Sequence, residues 1–177
     1  MDEVLADTLG KQLRLYNDAF AAYTGCRVQR EDLRDCELID IVPAEQQEHV
    51  AGMLHAEGFF ADLEPMPGAM EAMERLCREH HIYIVSAATE FPGSFRDKMN
   101  WLERHLPQIA VPRIIFCGEK SVLNLDCLLD DTASHFAGFR GMGLLFDAPH
   151  NRSETRYRRV RGWREAEAAI ASLCESA

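Results

Sequence analysis

Residues 81–86, HIYIVS, form a short apolar run that ends in a small polar residue, and this run decides the fold class. A continuous apolar run of this length predicts a strand that is buried on both faces. Three further runs of this kind follow it, at 112–117, 128–129 and 143–146. Segments with helical spacing alternate with these strands, at 67–77, 94–105, 133–139 and 163–174. The alternation predicts an α/β fold with a Rossmann-like parallel sheet and helices on both of its faces.

The stretch from about residue 10 to residue 65 has helical character and few strand signals. We therefore expect a small helical cap at about 10–65, inserted into a core formed by residues 1–9 and 66–177. A chain of 177 residues is the right size for a single domain with such an insertion.

Composition excludes several classes of protein. The formal net charge is -10, whereas a protein that binds the phosphate backbone of nucleic acids usually has a basic surplus. The six cysteines form no C-x-x-C pair, which predicts reduced thiols in a cytoplasmic protein. The longest apolar runs are far too short to cross a membrane.

Polar side chains follow the ends of successive predicted strands. Ser86 ends the first, Lys120 follows the second through Gly118, and Asp130 and Asp131 follow Leu129. Ligands bind beyond the carboxyl ends of parallel strands, so these side chains are expected to share one crevice. An adjacent pair of carboxylates there suits Mg²⁺, which would supply the positive charge that an acidic protein needs to hold a phosphate.

Each of these residues also has an ordinary structural interpretation. Asp130 and Asp131 are suited to the start of a helix, where Asp is a common cap. Lys120 is equally compatible with a solvated surface position, and Ser86 with a hydroxyl that is satisfied at a strand end. The order of the hydroxyl, the lysine and the acidic pair along the chain is more specific than any member alone.

Three longer motifs give the chain a family resemblance. Residues 2–8, DEVLADT, look like the tail of the motif D-x-D-x-V-x-A-D. Residues 58–69, GFFADLEPMPGA, and the late turn at 146–152, FDAPHNR, match further motifs in the same order. The chain thus resembles the 5'(3')-deoxyribonucleotidases of the haloacid dehalogenase-like phosphatase superfamily.

The resemblance implies roles for residues that match the family's motifs. Asp2 matches the general acid/base, whose backbone carbonyl also binds Mg²⁺, and Asp131 matches a Mg²⁺ ligand with Asp130 beside it. Ser86 and Lys120 match the hydroxyl and the lysine that bind the phosphate. Four further residues lie in segments expected to contact the substrate: Phe59, Phe60, Ala87 and Ala88. The two phenylalanines are suited to stacking against a base, and the alternative is that both belong to the core of the cap.

One part of the first motif falls outside the sequence. The nucleophilic aspartate of the motif would lie one position before Met1, and the strand that precedes it in this superfamily is central to the sheet. Two strands without that neighbour would keep unpaired backbone groups, at about 1–3 kcal/mol for each buried group. We therefore expect the natural start to lie several residues upstream of Met1.

The resemblance implies a Mg²⁺-dependent phosphomonoesterase that acts on deoxyribonucleoside monophosphates through an aspartyl-phosphate. Two alternatives stay open: a non-catalytic relative that binds nucleotide, and a phosphatase for another small phosphate ester. A receiver-type phosphoacceptor domain is disfavoured, because its acidic pair comes first in the chain and its lysine last. The expected partner is a small-molecule substrate, without nucleic acid or membrane. The sequence leaves open a homodimer, the preferred base and the choice between 5' and 3' phosphates.

Overall fold

The computed structural model describes residues 1–174, apart from the side chains of Thr24 and Cys174. It confirms the α/β class, with parallel strands flanked by helices. The helices are α1 Thr8–Thr24, α2 Leu38–Ile41, α3 Ala44–Met53, α4 Ala69–Glu79, α5 Ser94–His105 and α6 Trp163–Cys174. The strands are β1 Ile84–Ser86, β2 Ile114–Phe116, β3 Cys127–Asp130, β4 Met142–Phe146 and β5 Arg158–Val160. Short 3₁₀ turns lie between them.

The strands form two separate parallel pieces of sheet. In one piece β1 pairs with β2, with Ile84 opposite Ile114. In the other the order is β3-β4-β5, with Leu129 opposite Leu144. Every pairing is parallel, so the carboxyl ends of the strands in each piece lie at one edge, as the sequence predicts.

A groove of about 490 Å³ separates the two pieces of sheet. Residues 81–85 line one wall and residues 124–129 line the other. Met73 and Leu76 of α4 and Ile170 of α6 add apolar surface. A cavity volume of only about 10–15 Å³ is enough to hold one water molecule, so the groove is far larger than a packing defect.

The strand β1 is shorter than expected because its partner begins late. We predicted a strand over residues 81–86, but the strand begins at Ile84. Within residues 1–174, β2 is the one strand that pairs with β1; its first residue, Ile114, lies opposite Ile84, and the residues before it, Val111–Arg113, form a 3₁₀ turn.

The start of the chain packs into the core. Val4, Leu5 and Ala6 are buried, and the indole nitrogen of Trp163 donates a hydrogen bond to the carbonyl oxygen of Val4 at 2.8 Å. Ala6 also bridges to Pro65 in antiparallel fashion. The helices α1, α2 and α3 lie in or overlap the region at about 10–65. That this region is a cap inserted into the core stays a prediction.

Three local expectations need correction. The predicted helix at 133–139 is a 3₁₀ turn over Ala133–Phe136, and β5 was not predicted, because two of its three residues are arginines. The bounds of α5 are as predicted, but its buried face carries Ser94, Lys98, Trp101 and Leu102. The spacing of Phe95, Met99 and Leu102 predicts that these three residues share the buried face, but Phe95 and Met99 are only half-buried.

The structure also bears on the cysteines and on the expected absence of a membrane span. The five cysteines whose side chains are described are free thiols, and the side chain of Cys174 lies outside the described residues. None of the helices in the described part of the chain has the length and apolarity to cross a membrane.

Candidate active site

Charged groups converge where β3 ends. Asp130 is the last residue of β3 and Asp131 follows it. The amino group of Met1 interacts electrostatically with Asp130 and Asp131 and also with Asp2 and Lys120. Four of the predicted site residues are therefore close enough to the Met1 amino group to act on it electrostatically. Burial lowers the pKa of that amino group below its ordinary value.

Asp130 is held as a buried carboxylate. Lys120 forms an ion pair with it, the Nδ1 atom of His135 lies 3.0 Å from its Oδ1, and the backbone N–H of Thr132 donates to Oδ1 at 2.9 Å. Burial pushes the pKa of Asp130 upward, but the hydrogen bond with His135 and the charge of Lys120 outweigh it. The pKa of Asp130 therefore lies below its ordinary value, and the group keeps its negative charge.

Asp131 has the opposite electrostatic character. Burial, and then the neighbouring Asp130 carboxylate, raise its pKa well above the ordinary value. The Nε2 atom of His150 lies 3.3 Å from its Oδ2 and 3.1 Å from its backbone oxygen. A carboxyl group in this environment gains from an added positive charge, because such a charge favours its ionised form.

Lys98 is a site residue that our sequence analysis missed. Its side chain is only 2% exposed, and its Nζ lies 2.6 Å from Asp2 Oδ2 and 3.4 Å from Ser86 Oγ. The same nitrogen lies 4.4 Å from the centre of the Phe60 ring, in a cation–π contact. Lys98 therefore links Asp2, which the family resemblance assigned to the site, to Ser86 at the end of β1.

A signal for Lys98 was present in the sequence. Lys98 is spaced three and four residues before Trp101 and Leu102, so it falls on the apolar stripe of α5. A lysine on such a stripe is almost never fully buried unless it is paired, which makes it a candidate for an ion pair inside the fold.

Lys120 lies beside the acidic pair, and its partner is a carboxylate. It is buried and pairs with Asp130, whereas Ser86 is bonded to Lys98. Ala87 and Ala88 follow Ser86 directly, and Ala88 opens the 3₁₀ turn Ala88–Glu90 and is fully buried. Their contact with substrate stays a prediction.

Phe59 and Phe60 are buried in the main hydrophobic core. Their rings meet edge to face at 5.0 Å, and Phe60 lies 6.0 Å from Phe91. Both rings also face a lysine, since Lys11 lies 4.9 Å from the centre of Phe59. This placement favours the core alternative for Phe59. Phe60 reaches the catalytic region through Lys98, and stacking against a base stays a prediction for both.

The oxygen donors at this point suit a divalent cation. Mg²⁺ prefers hard oxygen ligands and is usually bound through one or two carboxylates. Asp2, Asp130 and Asp131 all act electrostatically on the Met1 amino group, so these three carboxylates are candidates for such a site. Within residues 1–174, no three His, Cys, Asp or Glu side chains are arranged as a complete metal site. Two of these carboxylates are paired with Lys98 and Lys120.

Comparison with known proteins identifies relatives over most of the chain. A family described as "5' nucleotidase, deoxy (Pyrimidine), cytosolic type C protein" matches residues 1–174. A protein of Staphylococcus epidermidis, provisionally named a 5'(3')-deoxyribonucleotidase, is 37% identical over 165 residues, which cover 93% of this chain and 89% of the relative. A Staphylococcus aureus protein of the same provisional name is 36% identical over 94% of this chain and 90% of its own length. The 5'(3')-deoxyribonucleotidase of Bacillus subtilis is 36% identical over 108 residues, 61% of this chain and 63% of that protein.

Proposed function

Since this chain belongs to the family of 5' nucleotidases described as deoxy (pyrimidine), cytosolic type C, we propose that it is a Mg²⁺-dependent phosphomonoesterase for deoxyribonucleoside monophosphates. One observation carries the proposal: Lys98 joins Asp2 to Ser86 beside the Asp130–Asp131 pair. Two buried lysines and a divalent cation would together offset most of the negative charge of three carboxylates and a phosphate dianion. The free thiols fit a cytoplasmic location.

The residues divide into three roles. Lys98 and Ser86 would bind phosphate oxygens through charge-assisted and neutral hydrogen bonds that strengthen as charge develops on the transferring group. Asp2 would donate a proton to the leaving ester oxygen and later accept one from the attacking water. Asp2, Asp130 and Asp131 would hold Mg²⁺, which neutralises charge on the phosphoryl group when it is bound.

The proposed reaction has two displacements. A carboxylate oxygen attacks phosphorus, the ester oxygen leaves with the proton of Asp2, and water then attacks the acyl phosphate and returns a proton to Asp2. In the family motif the nucleophilic carboxylate belongs to an aspartate one position ahead of the residue that matches Met1. A residue at that position would be bonded to the Met1 nitrogen, which interacts electrostatically with Asp2, Asp130 and Asp131.

A second candidate function is a phosphatase for another small phosphate ester. The burial of Phe59 and Phe60 favours it, since rings only 3% and 2% exposed offer little surface for a nucleoside. If the substrate is a nucleotide instead, its nucleoside has to be recognised through other residues, or through a movement of the segment that carries the two rings.

A panel of phosphate esters separates the two candidates. We define the extended form as this chain with four or five apolar residues and then one aspartate added ahead of Met1. With Mg²⁺, the extended form is expected to hydrolyse deoxyuridine monophosphate at least about tenfold faster than glucose 6-phosphate, a difference of about 1.4 kcal/mol. An Asp131→Asn variant should release phosphate from neither. Equal rates for both esters would contradict the nucleotide assignment, and nucleotide binding without release would favour the non-catalytic alternative.

A further inference from the structure

The turn at residues 149–151 contains an asparagine whose hydrogen bonds point toward the acidic pair. Asn151 is only 5% exposed and lies at the end of the 3₁₀ turn Pro149–Asn151. Its Nδ2 donates to the backbone oxygen of Asp131 at 2.7 Å and to that of Phe146 at 2.8 Å. The side chain therefore ties the residue after β3 to the end of β4, across the edge of the sheet where the site lies.

The accepting side of the same amide is equally occupied. Asn151 Oδ1 accepts from the backbone N–H of Ala148 at 3.2 Å and from the guanidinium of Arg159 at 2.6 Å. Arg159, on β5, also donates to the backbone oxygen of Asn151 at 2.7 Å and to Asp147 Oδ1 at 2.7 Å. These contacts leave the amide one orientation, with its donors facing Asp131.

We propose that Asn151 is a positioning residue that fixes Asp131 in the acidic pair, and that Arg159 holds Asn151 in place. The contact is to the backbone of Asp131, so Asn151 sets where the carboxylate lies without competing for its oxygens. The inference rests on the proposed function for its metal. Removing a residue that hydrogen-bonds to a metal ligand typically changes metal affinity by about 10–100-fold. The hydrogen bonds that carry it are independent of the metal.

An Asn151→Asp variant separates positioning from packing. Aspartate has the same shape and still accepts from Ala148 and Arg159, but its carboxylate cannot donate to Asp131 or Phe146. An Arg158→Met variant is the matched control, because Arg158 precedes Arg159 on β5 and is bonded to Ser172 instead. Thermal unfolding checks that each variant is folded.

The first measurement is amide hydrogen exchange without metal. The N–H of Thr132 is bonded to Asp130 Oδ1 and reports on the turn that holds the acidic pair. We expect N151D to accelerate exchange at Thr132 by more than about tenfold, since a lost restraint of about 1.4 kcal/mol corresponds to that factor. Exchange at Leu144 in β4 should be unchanged in N151D, and exchange at Thr132 should be unchanged in R158M. Unchanged exchange at Thr132 in N151D overturns the inference.

The second measurement is Mn²⁺ binding, followed by electron paramagnetic resonance, with the extended form as the parent chain of both variants. N151D is expected to bind Mn²⁺ about 10–100-fold more weakly than the parent chain, and R158M is expected to bind it equally well. Equal affinity of N151D and the parent chain also overturns the inference. If the parent chain binds no Mn²⁺, the metal part of the proposed function fails, and the exchange experiment still decides whether Asn151 positions Asp131.

Discussion

Replacing Lys98 with methionine in the extended form is expected to lower phosphate release from deoxyuridine monophosphate by about 10²–10³-fold, the usual loss when one donor to a developing oxyanion is removed. Methionine fills nearly the same volume but cannot donate to a phosphate oxygen, to Asp2 or to Ser86. The same contacts make Lys98 important for folding, because it is the buried partner of the Asp2 carboxylate.

The stability effect can be measured in the chain as printed. Asp2 is 34% exposed at its side chain, so water screens part of the unpaired charge, and K98M should cost about 1–3 kcal/mol of unfolding free energy. In an Asp2→Asn background Lys98 has already lost its partner, so the same replacement should be nearly neutral or stabilising. A denaturant double-mutant cycle that gave additive effects would contradict the ion pair.

Lys11 offers a matched control for Lys98. It also faces a phenylalanine ring and pairs with an aspartate, but that partner, Asp62, is 66% exposed at its side chain and is not among the carboxylates that act electrostatically on the Met1 amino group. Lys11→Met should therefore lower activity by less than about tenfold, because it removes no group from the proposed phosphate site. A loss as large as that of K98M would show that the effect is not specific to the site.

The extended form is expected to unfold at a temperature about 5–15 °C above that of the chain as printed. The groove has a strand edge on each side, and its walls carry Ile84, Leu128 and Leu129. A parallel apolar strand there would pair with both edges, at about 1 kcal/mol for each hydrogen bond, and would bury apolar side chains at about 1.5–3 kcal/mol each. These gains should exceed the cost of ordering the added residues, and a shift of this size corresponds to a net gain of about 3–4 kcal/mol.

Hydrogen exchange locates the added strand. Amides of β1 and β3 should become more protected in the extended form, whereas those of β5, which is distant from the groove in the strand order, should change little. An extension of equal length made of glycine and serine, followed by the same aspartate, is the control. If both extensions gave the same melting temperature and protection, the groove would not be a strand site.

The sequence predicts the fold well where patterns are long or bounded by special residues. The bounds of α5 and α6 are as expected, and α4 follows Pro67 and Gly68. By contrast, β5 escaped notice because a strand of three residues with two arginines has neither apolar alternation nor length. The shortening of β1 depends on which strands pair with it, which no local pattern records.

Some residues of the candidate site could be predicted from the sequence, and others could not. Ser86, Lys120 and the acidic pair were expected at strand ends, because parallel topology directs strand ends to one edge. Lys98 contacts Asp2 across 96 positions of sequence, and such a pair depends on how α5 is rotated against the core. Asn151 was noticed within a motif, but its bonds to Asp131 and Arg159 arise only when β4 and β5 are paired.

The most direct test of the proposed chemistry compares two proteins, the chain as printed and the extended form. Each would receive deoxyuridine monophosphate with Mg²⁺ or with a chelator, and released phosphate would be measured over time. The account predicts release by the extended form with Mg²⁺ alone, and background levels in the other three conditions. Equal background in all four conditions, with both proteins folded, would contradict the assignment of Asp2, Lys98 and the acidic pair to phosphate release.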